Sequence, residues 1–183
     1  MSTLNITNIK HPSSGSNNVV LASDGSTTIS NRVGKSSYAI IADQKAQNTD
    51  GGTFTSGAWR TRDLNTEIAD PDGIVSISSN QFTLGAGSYL IRWSAPGQLC
   101  LLHQSRLQNV TSASTVAVGT SEVTSTTITA VTRSSGSARI VLASSAVFEI
   151  QHQCSTTRAG DGFGEPSNFT TEQYTLVEIF KES

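Results

Sequence analysis

In the stretch VFEIQHQC, residues 147–154, Phe, Ile, His and Cys occupy alternate positions from Phe148 onward, with Glu or Gln between them. Successive side chains of a β-strand point to opposite faces of the sheet. One face of this strand would hold Phe148, Ile150, His152 and Cys154. The other would hold Val147, Glu149, Gln151 and Gln153. The pattern predicts a strand over residues 147–156, with the first face in a core and the second in water or at a polar interface.

Eight further stretches, rich in Val, Ile and Thr, also predict strands. They span residues 37–43, 73–84, 88–95, 99–110, 115–123, 126–132, 137–142 and 172–181. Turn signals at residues 50–52, 71–73, 85–87, 95–97, 134–136 and 161–162 separate them. Helical periodicity is absent, except that residues 63–69 could form one short turn. Such a series of short strands predicts an all-β fold, an antiparallel β-sandwich of the jelly-roll type.

The composition excludes several classes of protein. Ser and Thr occupy 51 of the 183 positions, and charged residues make up 14%, against about 25% in an average soluble domain. The net charge is −2 with no run of Lys or Arg, so we predict no nucleic-acid partner. The longest apolar runs, residues 39–42 and 99–102, are too short for membrane insertion. The N-terminal residues show neither the basic region nor the apolar core of a secretory signal, so we expect synthesis in the cytoplasm with both cysteines reduced.

The last predicted strand, residues 172–181, is apolar on both faces. Tyr174, Leu176 and Phe180 fall on one face, and Val177 and Ile179 fall on the other. A strand of this kind is covered on both sides. One face would meet the partner sheet, and the other a neighbouring subunit or a covering loop. We assign to a subunit interface Tyr174, Leu176, Val177, Ile179 and Phe180, together with Gln151 and Gln153.

Residues 1–36 form a separate part of the chain, ahead of a domain at residues 37–183. They contain too few apolar residues to fold alone. We predict an extended N-terminal arm that orders against its own copies or another protein, with a flexible tail as the alternative. The predicted docking residues of the arm are Leu4, Ile6, Ile9, Val19, Val20 and Leu21.

Two histidines, His103 and His152, lie on apolar strand faces. Imidazole is a common ligand of zinc, and one His per subunit could meet on a symmetry axis. The alternative is a buried His that bonds to a neighbouring group. Because no Cys or carboxylate lies at close ligand spacing, we predict no metal and no cofactor, and we expect Cys100 and Cys154 to be buried free thiols.

Catalytic patterns are weak. The chain has no Gly-x-Ser-x-Gly nucleophile motif. The acids at positions 63, 67, 70 and 72 could flank a glycosidic bond, but a solvated loop is the commoner arrangement. We therefore predict that the protein is not an enzyme.

Candidate contact residues lie in two polar, Gly-rich loops and in the block around Trp59, Arg60 and Arg62. Trp faces and Arg side chains suit sugar or interface contacts, whereas a framework role would bury Trp59 and pair the arginines with Asp63 or Glu67. We favour the framework role for this block and place partner contacts in the loops. The assigned residues are Gln44, Lys45, Asn48, Arg158, Asp161 and Phe163.

Several blocks resemble a family of small bacteriophage virion proteins. They are NITNIKHPSS at residues 5–14, GGTFTSGAWRTRDLNTE at 51–67, FEIQHQC at 148–154 and VEIFK at 177–181. The C-terminal domain of that family is similar to the jelly rolls of complement subcomponents and tumour necrosis factor. The resemblance implies a homotrimer in a phage tail fibre, fibre tip or other appendage, commonly without enzymatic activity, with the last strand near the three-fold axis.

Two functions follow from this resemblance. In the first, the arm docks to the virion and the jelly-roll loops attach to the host surface, with a cell-surface glycan as the candidate partner. In the second, the protein is a trimeric capsid decoration protein that stabilises the head. Both place the protein in the virion, in contact with other tail or capsid proteins.

Overall fold

The computed structural model describes residues 8–9, 19–21, 23, 27–29 and 37–182. The ordered elements are all strands. They are β1 (Asn8–Ile9), β2 (Val19–Leu21), β3 (Thr27–Ile29), β4 (Ser37–Lys45), β5 (Arg60–Thr61), β6 (Thr66–Ala69), β7 (Val75–Ser78), β8 (Gln81–Leu84), β9 (Gly87–Gln98), β10 (Leu102–Asn109), β11 (Ser114–Val123), β12 (Val131–Leu142), β13 (Ala146–Cys154) and β14 (Glu172–Lys181). No helix long and apolar enough to cross a membrane occurs in these residues.

The chain divides into two units, residues 1–35 with residue 183, and residues 36–182. In the first unit, β1, β2 and β3 form a small antiparallel sheet. The predicted docking residues Leu4 and Ile6 lie outside the described residues, while Ile9 is exposed and Val19 and Val20 are half-buried. The docking role of the arm stays a prediction.

The second unit consists of two antiparallel sheets. The five-stranded sheet has the order β12-β9-β14-β4-β6. The six-stranded sheet has the order β11-β10-β13-β8-β7, with β5 paired to β13. The predicted all-β antiparallel sandwich is confirmed.

The core lies between the inner faces of the two sheets. The predicted inner face of β13 is correct, since Phe148, Ile150 and His152 are fully buried. Burial of each large apolar side chain contributes about 1.5–3 kcal/mol. The main core consists of Ala39, Ile41, Leu64, Val75, Phe82, Leu84, Tyr89, Ile91, Trp93, Ala95, Leu107, Ala138, Ile140, Ala146, Phe148, Ile150, Val177 and Ile179.

The predicted turn at residues 134–136 is wrong, because these residues lie inside β12 opposite Trp93, Ser94 and Ala95. Gly136 is needed for packing, since a side-chain carbon there would overlap the Trp93 ring. Ser134 is buried, and its hydroxyl donates to the Thr120 carbonyl at 2.7 Å. The predicted strand at residues 126–132 is likewise wrong, since β12 begins at Val131.

Other boundaries also differ from the predictions. Residues 95–97 continue β9 instead of turning. The predicted strand at residues 73–84 is a hairpin, because Ser79 and Asn80 have φ of 53° and 63°, the left-handed conformation that a tight hairpin turn requires. Leu99 and Leu101 also have positive φ, so β10 begins only at Leu102. Residues 63–69 are extended, and their second half pairs with β4 as β6.

The register of β14 against β4 shifts between Gln173 and Leu176. A bulge of this kind changes which side chains share a face. Beyond it, Val177 and Ile179 point into the core, while Leu176 and Phe180 lie on the outer face of the five-stranded sheet and are half-buried.

Candidate functional site

Two loops meet at one end of the sandwich and form a single surface, which we call the loop cluster. It comprises residues 46–59, between β4 and β5, and residues 155–171, between β13 and β14. Backbone hydrogen bonds join the loops: Gly51 N donates to Gly164 O at 2.9 Å, and Phe163 N donates to Gly52 O at 2.9 Å. The two Gly-rich loops predicted as separate contact sites are therefore one structure.

Glycine allows the two loops to approach this closely. A Cβ at Gly51 would lie 2.7 Å from the backbone nitrogen of Gly164. A Cβ at Gly162 would lie 2.9 Å from the backbone nitrogen of Phe54 in the other loop. Real Cβ atoms do not approach backbone atoms so closely, so larger residues at either position would separate the loops.

Arg62 holds the loop cluster in place through buried hydrogen bonds. The sequence predicted instead that it would pair with a nearby acid. Its guanidinium is fully buried and donates to Thr175 Oγ1 at 2.9 Å, Pro96 O at 3.1 Å and Phe163 O at 2.8 Å. Its Cζ lies 3.9 Å from the centre of the Phe163 ring. Burial lowers the pKa of Arg62 to about 9, so the group still carries its charge at neutral pH.

Glu172 joins the two loops through its carboxylate. It accepts hydrogen bonds from the backbone nitrogens of Asn48 at 3.2 Å, Ser167 at 2.9 Å and Asn168 at 2.8 Å. Burial acts to raise the pKa of Glu172, but these donors outweigh it and the pKa is lowered. The ionised carboxylate therefore holds both loops in place above its pKa.

The predicted contact residues of the loops separate into two groups. Gln44, Asn48 and Arg158 reach the surface, so contact by them stays a prediction. Asp161 and Phe163 are buried, with 9% and 7% of their surface exposed. They belong to the framework of the loop cluster and offer a partner little surface.

Lys45 already forms ion pairs within the chain. Its ammonium lies 3.1 Å from Asp43 and 2.8 Å from Asp63. Burial acts to lower the pKa of Lys45, but hydrogen bonds to both carboxylates raise it overall. A partner would therefore have to displace two internal partners of this residue.

The outer face of the five-stranded sheet carries a row of partly exposed apolar side chains. Pairing of β9, β14 and β4 places Leu90, Phe180 and Tyr38 side by side. Tyr38 is 42% exposed. Leu176 lies on the same face of the sheet, separated from the row by Glu178 along β14. The interface prediction missed three residues of this face, Leu90, Tyr38 and Ile40. Each lies on the side of its strand that points away from the core.

The predicted interface residues of β14 divide between the two faces. Val177 and Ile179 have 0% of their surface exposed and Tyr174 has 4%, so the protomer itself covers them. Gln151 and Gln153 belong to β13 in the other sheet. The subunit interface stays a prediction. Of the residues predicted for it, Leu176 and Phe180 lie on the outer face of the five-stranded sheet.

His103 and His152 contact each other in the core. His103 Nδ1 lies 2.9 Å from His152 Nε2, and His103 Nε2 lies 2.8 Å from Thr132 Oγ1. A consistent assignment has His152 Nε2 donate to His103 and His103 Nε2 donate to Thr132, which leaves buried His152 Nδ1 as an acceptor without a partner. Burial lowers the pKa of His103 to about 4 and that of His152 well below its usual value.

Within the described ranges, no three His, Cys, Asp or Glu side chains are grouped so as to hold a metal ion. Cys100 and Cys154 are buried free thiols, as predicted, and burial raises the pKa of each.

Trp59 differs from its predicted framework role. It is half-buried at the surface instead of in the core, and Arg106 Cζ lies 4.2 Å from the centre of its ring. Because Arg106 is distant in sequence, no local pattern could have indicated this pair.

Comparison with known proteins agrees with the fold. No protein-family model and no curated protein sequence matches the chain. Crystal structures of murine APRIL at pH 5.0 and pH 8.0 superpose with TM-scores of 0.53 and 0.51 at 8% identity, over 80% of this chain and 99% of theirs. The globular domain of zebrafish complement 1qA protein gives a TM-score of 0.48 at 14% identity, over 79% of this chain and 95% of that one. The APRIL matches support the jelly-roll sandwich at the level of fold.

Proposed function

We propose that the protein is a non-enzymatic structural component of a bacteriophage virion, a homotrimeric tail-fibre or fibre-tip protein made in the host cytoplasm. In this proposal residues 1–36 dock to other virion proteins. The jelly roll assembles with two further copies and presents its outward surfaces to the host. The sequence blocks at residues 51–67 and 148–154 support the virion assignment through their resemblance to phage proteins.

The observation that carries the proposal is the apolar row on the outer face of the five-stranded sheet. Leu90, Phe180 and Tyr38 lie next to each other across three strands, and Leu176 extends the row. Exposed apolar surface of this kind is typical of a protein–protein interface. Burial against a second copy removes it from water, and a closed ring of three copies leaves no copy with an uncovered face.

The loop cluster supports an attachment role. Its backbone is fixed by inter-loop hydrogen bonds, by Arg62 and by Glu172. A rigid loop surface on a sandwich loses little conformational entropy when it binds a partner. Phe169, at 87% exposure, is the large apolar side chain that this cluster presents to solvent.

A capsid decoration protein is the second candidate. The observation that favours it is the low-charge surface rich in Ser and Thr hydroxyls, because such a surface suits lateral packing between protein subunits. This candidate requires the same trimer but places it on the head of the particle.

Cryo-electron microscopy of the phage particle with the protein labelled distinguishes the candidates. The proposal predicts density at the tail, in tens of copies, and inhibition of infection when purified protein is added to host cells. Density on the head in hundreds of copies would favour the decoration protein, and absence from the particle would overturn both.

A further inference from the structure

We propose that a groove on the outer face of the six-stranded sheet, between Trp59 and Leu102, binds a neutral saccharide. We call it the β10–β13 groove. The inference rests on the proposed attachment function and names the class of ligand and a site for it away from the loop cluster. The groove has a volume of about 390 Å³, within the range of small-molecule sites.

The strand register forms the floor of the groove. Gln104 of β10 is opposite Ser121 of β11 on one side and Gln153 of β13 on the other. Directly paired residues of antiparallel strands point to the same face. The three polar side chains therefore form one row across three strands, and Leu102 with Val123 borders the row on one side.

Trp59 forms the opposite wall and is held in a fixed orientation. One face of its indole ring is covered by Arg106, whose Cζ lies 4.2 Å from the ring centre. Arg106 is fixed in turn, because it donates to Gln151 Oε1 at 2.8 Å and to Thr115 Oγ1 at 2.9 Å. Since Trp59 is half-exposed and borders the groove, free aromatic surface remains on the groove side, suited to packing against the apolar face of a sugar ring.

The polar floor has unused hydrogen-bonding capacity. The amide of Gln153 has no hydrogen-bond partner within the described residues. Gln104 Nε2 donates to Gly119 O at 2.9 Å, which leaves Gln104 Oε1 free to accept. Sugar hydroxyls both donate and accept, so they complement amide groups of this kind.

The charge of the groove favours an uncharged ligand. Among the lining residues, Glu122 is the acidic side chain, and burial lowers the pKa of His103 to about 4, so His103 adds no positive charge at neutral pH. A carboxylate or sulfate on the ligand would meet like charge at Glu122, which disfavours binding, while the Arg106 guanidinium is already engaged by Trp59, Gln151 and Thr115. The apolar wall and the polar row therefore fit a neutral hexose or N-acetylhexosamine better than an acidic sugar.

The groove lies on the sheet opposite the proposed trimer interface. Assembly through the five-stranded sheet would leave it open in each of three copies. Three linked sites raise the avidity for a surface that displays repeated sugars, without any new contact.

Saturation-transfer NMR on the full-length protein tests the groove. The probes are neutral mono- to trisaccharides of hexose and N-acetylhexosamine, with sialylated and uronic-acid counterparts as charge controls. We expect millimolar or tighter binding of at least one neutral probe and weaker binding of its acidic counterpart. Trp59→Ala and Gln153→Ala should each weaken binding about tenfold, while Trp59→Phe keeps most of it. Phe169→Ala is the matched control, because it removes an exposed aromatic side chain from the loop cluster. It should bind as the wild type does.

Three results would overturn the inference. They are no binding of any saccharide at millimolar concentration, preference for the acidic probes, or binding that Phe169→Ala weakens and the groove variants do not. The last result would leave host attachment intact and move it to the loop cluster. Conversely, binding in the groove together with absence of the protein from the phage particle would refute the virion role and not the groove.

Discussion

The outer faces of the two sheets differ in chemistry although the sheets share one core. The face of the five-stranded sheet carries Leu90, Phe180 and Tyr38 in one row. The face of the six-stranded sheet carries the row of Ser121, Gln104 and Gln153. An apolar row is stabilised by leaving water, whereas a polar row gains nothing from burial without matching partners. The comparison of these two rows assigns protein contact to the first and solvent or hydroxyl-bearing ligands to the second, although the face of the six-stranded sheet also exposes Leu102, Val118 and Val123.

The largest effect is expected from a charge on the inner face of β14. Val177→Asp would place an unpaired carboxylate in the core, where Val177 has no exposed surface, and should lower the free energy of unfolding by about 4 kcal/mol or more. Chemical denaturation monitored by fluorescence measures the change. If the variant unfolds at the wild-type midpoint, Val177 does not point into the core.

The next effect concerns the buried histidines between the sheets. The pKa of His103 is lowered to about 4 in the folded chain from about 6.5 when unfolded. The unfolded state then binds more protons between these values, so the free energy of unfolding falls as the pH falls from about 6.5 to about 4, by about 3 kcal/mol for this group. Denaturation at a series of pH values measures the slope.

His103→Gln is the matched variant for the pH series. It removes one of the two titrating imidazoles and should reduce the slope between pH 4 and 6.5, while His152, whose pKa is also lowered, keeps its own share of the slope. An unchanged slope in this variant would show that other groups cause the acid sensitivity.

A smaller and local effect is expected in the loop cluster. Glu172→Gln keeps the shape of the side chain but removes the charge that accepts from Asn48, Ser167 and Asn168. Amide exchange of both loops should become faster while exchange in β9 stays as in the wild type, and hydrogen–deuterium exchange measures both. Glu67→Gln, on an exposed position of β6, is the control and should leave the loops unchanged. Unchanged loop exchange in Glu172→Gln would contradict the role of the carboxylate.

The smallest effect on stability is expected on the polar face. Gln153→Ala removes a half-buried side chain without a hydrogen-bond partner in the described chain and should change the free energy of unfolding by less than about 0.5 kcal/mol. Thermal unfolding followed by circular dichroism measures it. A loss of 2 kcal/mol would show that Gln153 is part of the framework and unsuited to ligand binding.

The sequence predicted those features that depend on local alternation. The inner face of β13 followed directly from the spacing of Phe148 and Ile150. Small and polar residues alone predicted a turn at 134–136, but Gly136 is small because the Trp93 ring of the neighbouring strand packs over it. Such a cross-strand reason is invisible in one segment.

The interface prediction failed in part for a similar reason. Strict alternation put Tyr174 on one face with Leu176, but the bulge between Gln173 and Leu176 separates them, and Tyr174 is buried. Alternation correctly placed Val177 on the face opposite Leu176, but it could not tell which face meets the partner sheet, and Val177 lies in the core. The pairs Trp59 with Arg106 and Gln104 with Gln153 join residues distant in the chain, so only the fold brings them together.

The native mass of the wild-type protein and of Leu176→Asp, compared at the same micromolar concentration, tests the central claim most directly. The account predicts a wild-type mass three times that of the 19.3 kDa protomer. Leu176→Asp should remain folded but run as a monomer, while Val118→Asp on the exposed six-stranded sheet should remain a trimer. A monomeric wild type, or a Leu176→Asp variant that still forms trimers, would contradict assembly through the outer face of the five-stranded sheet.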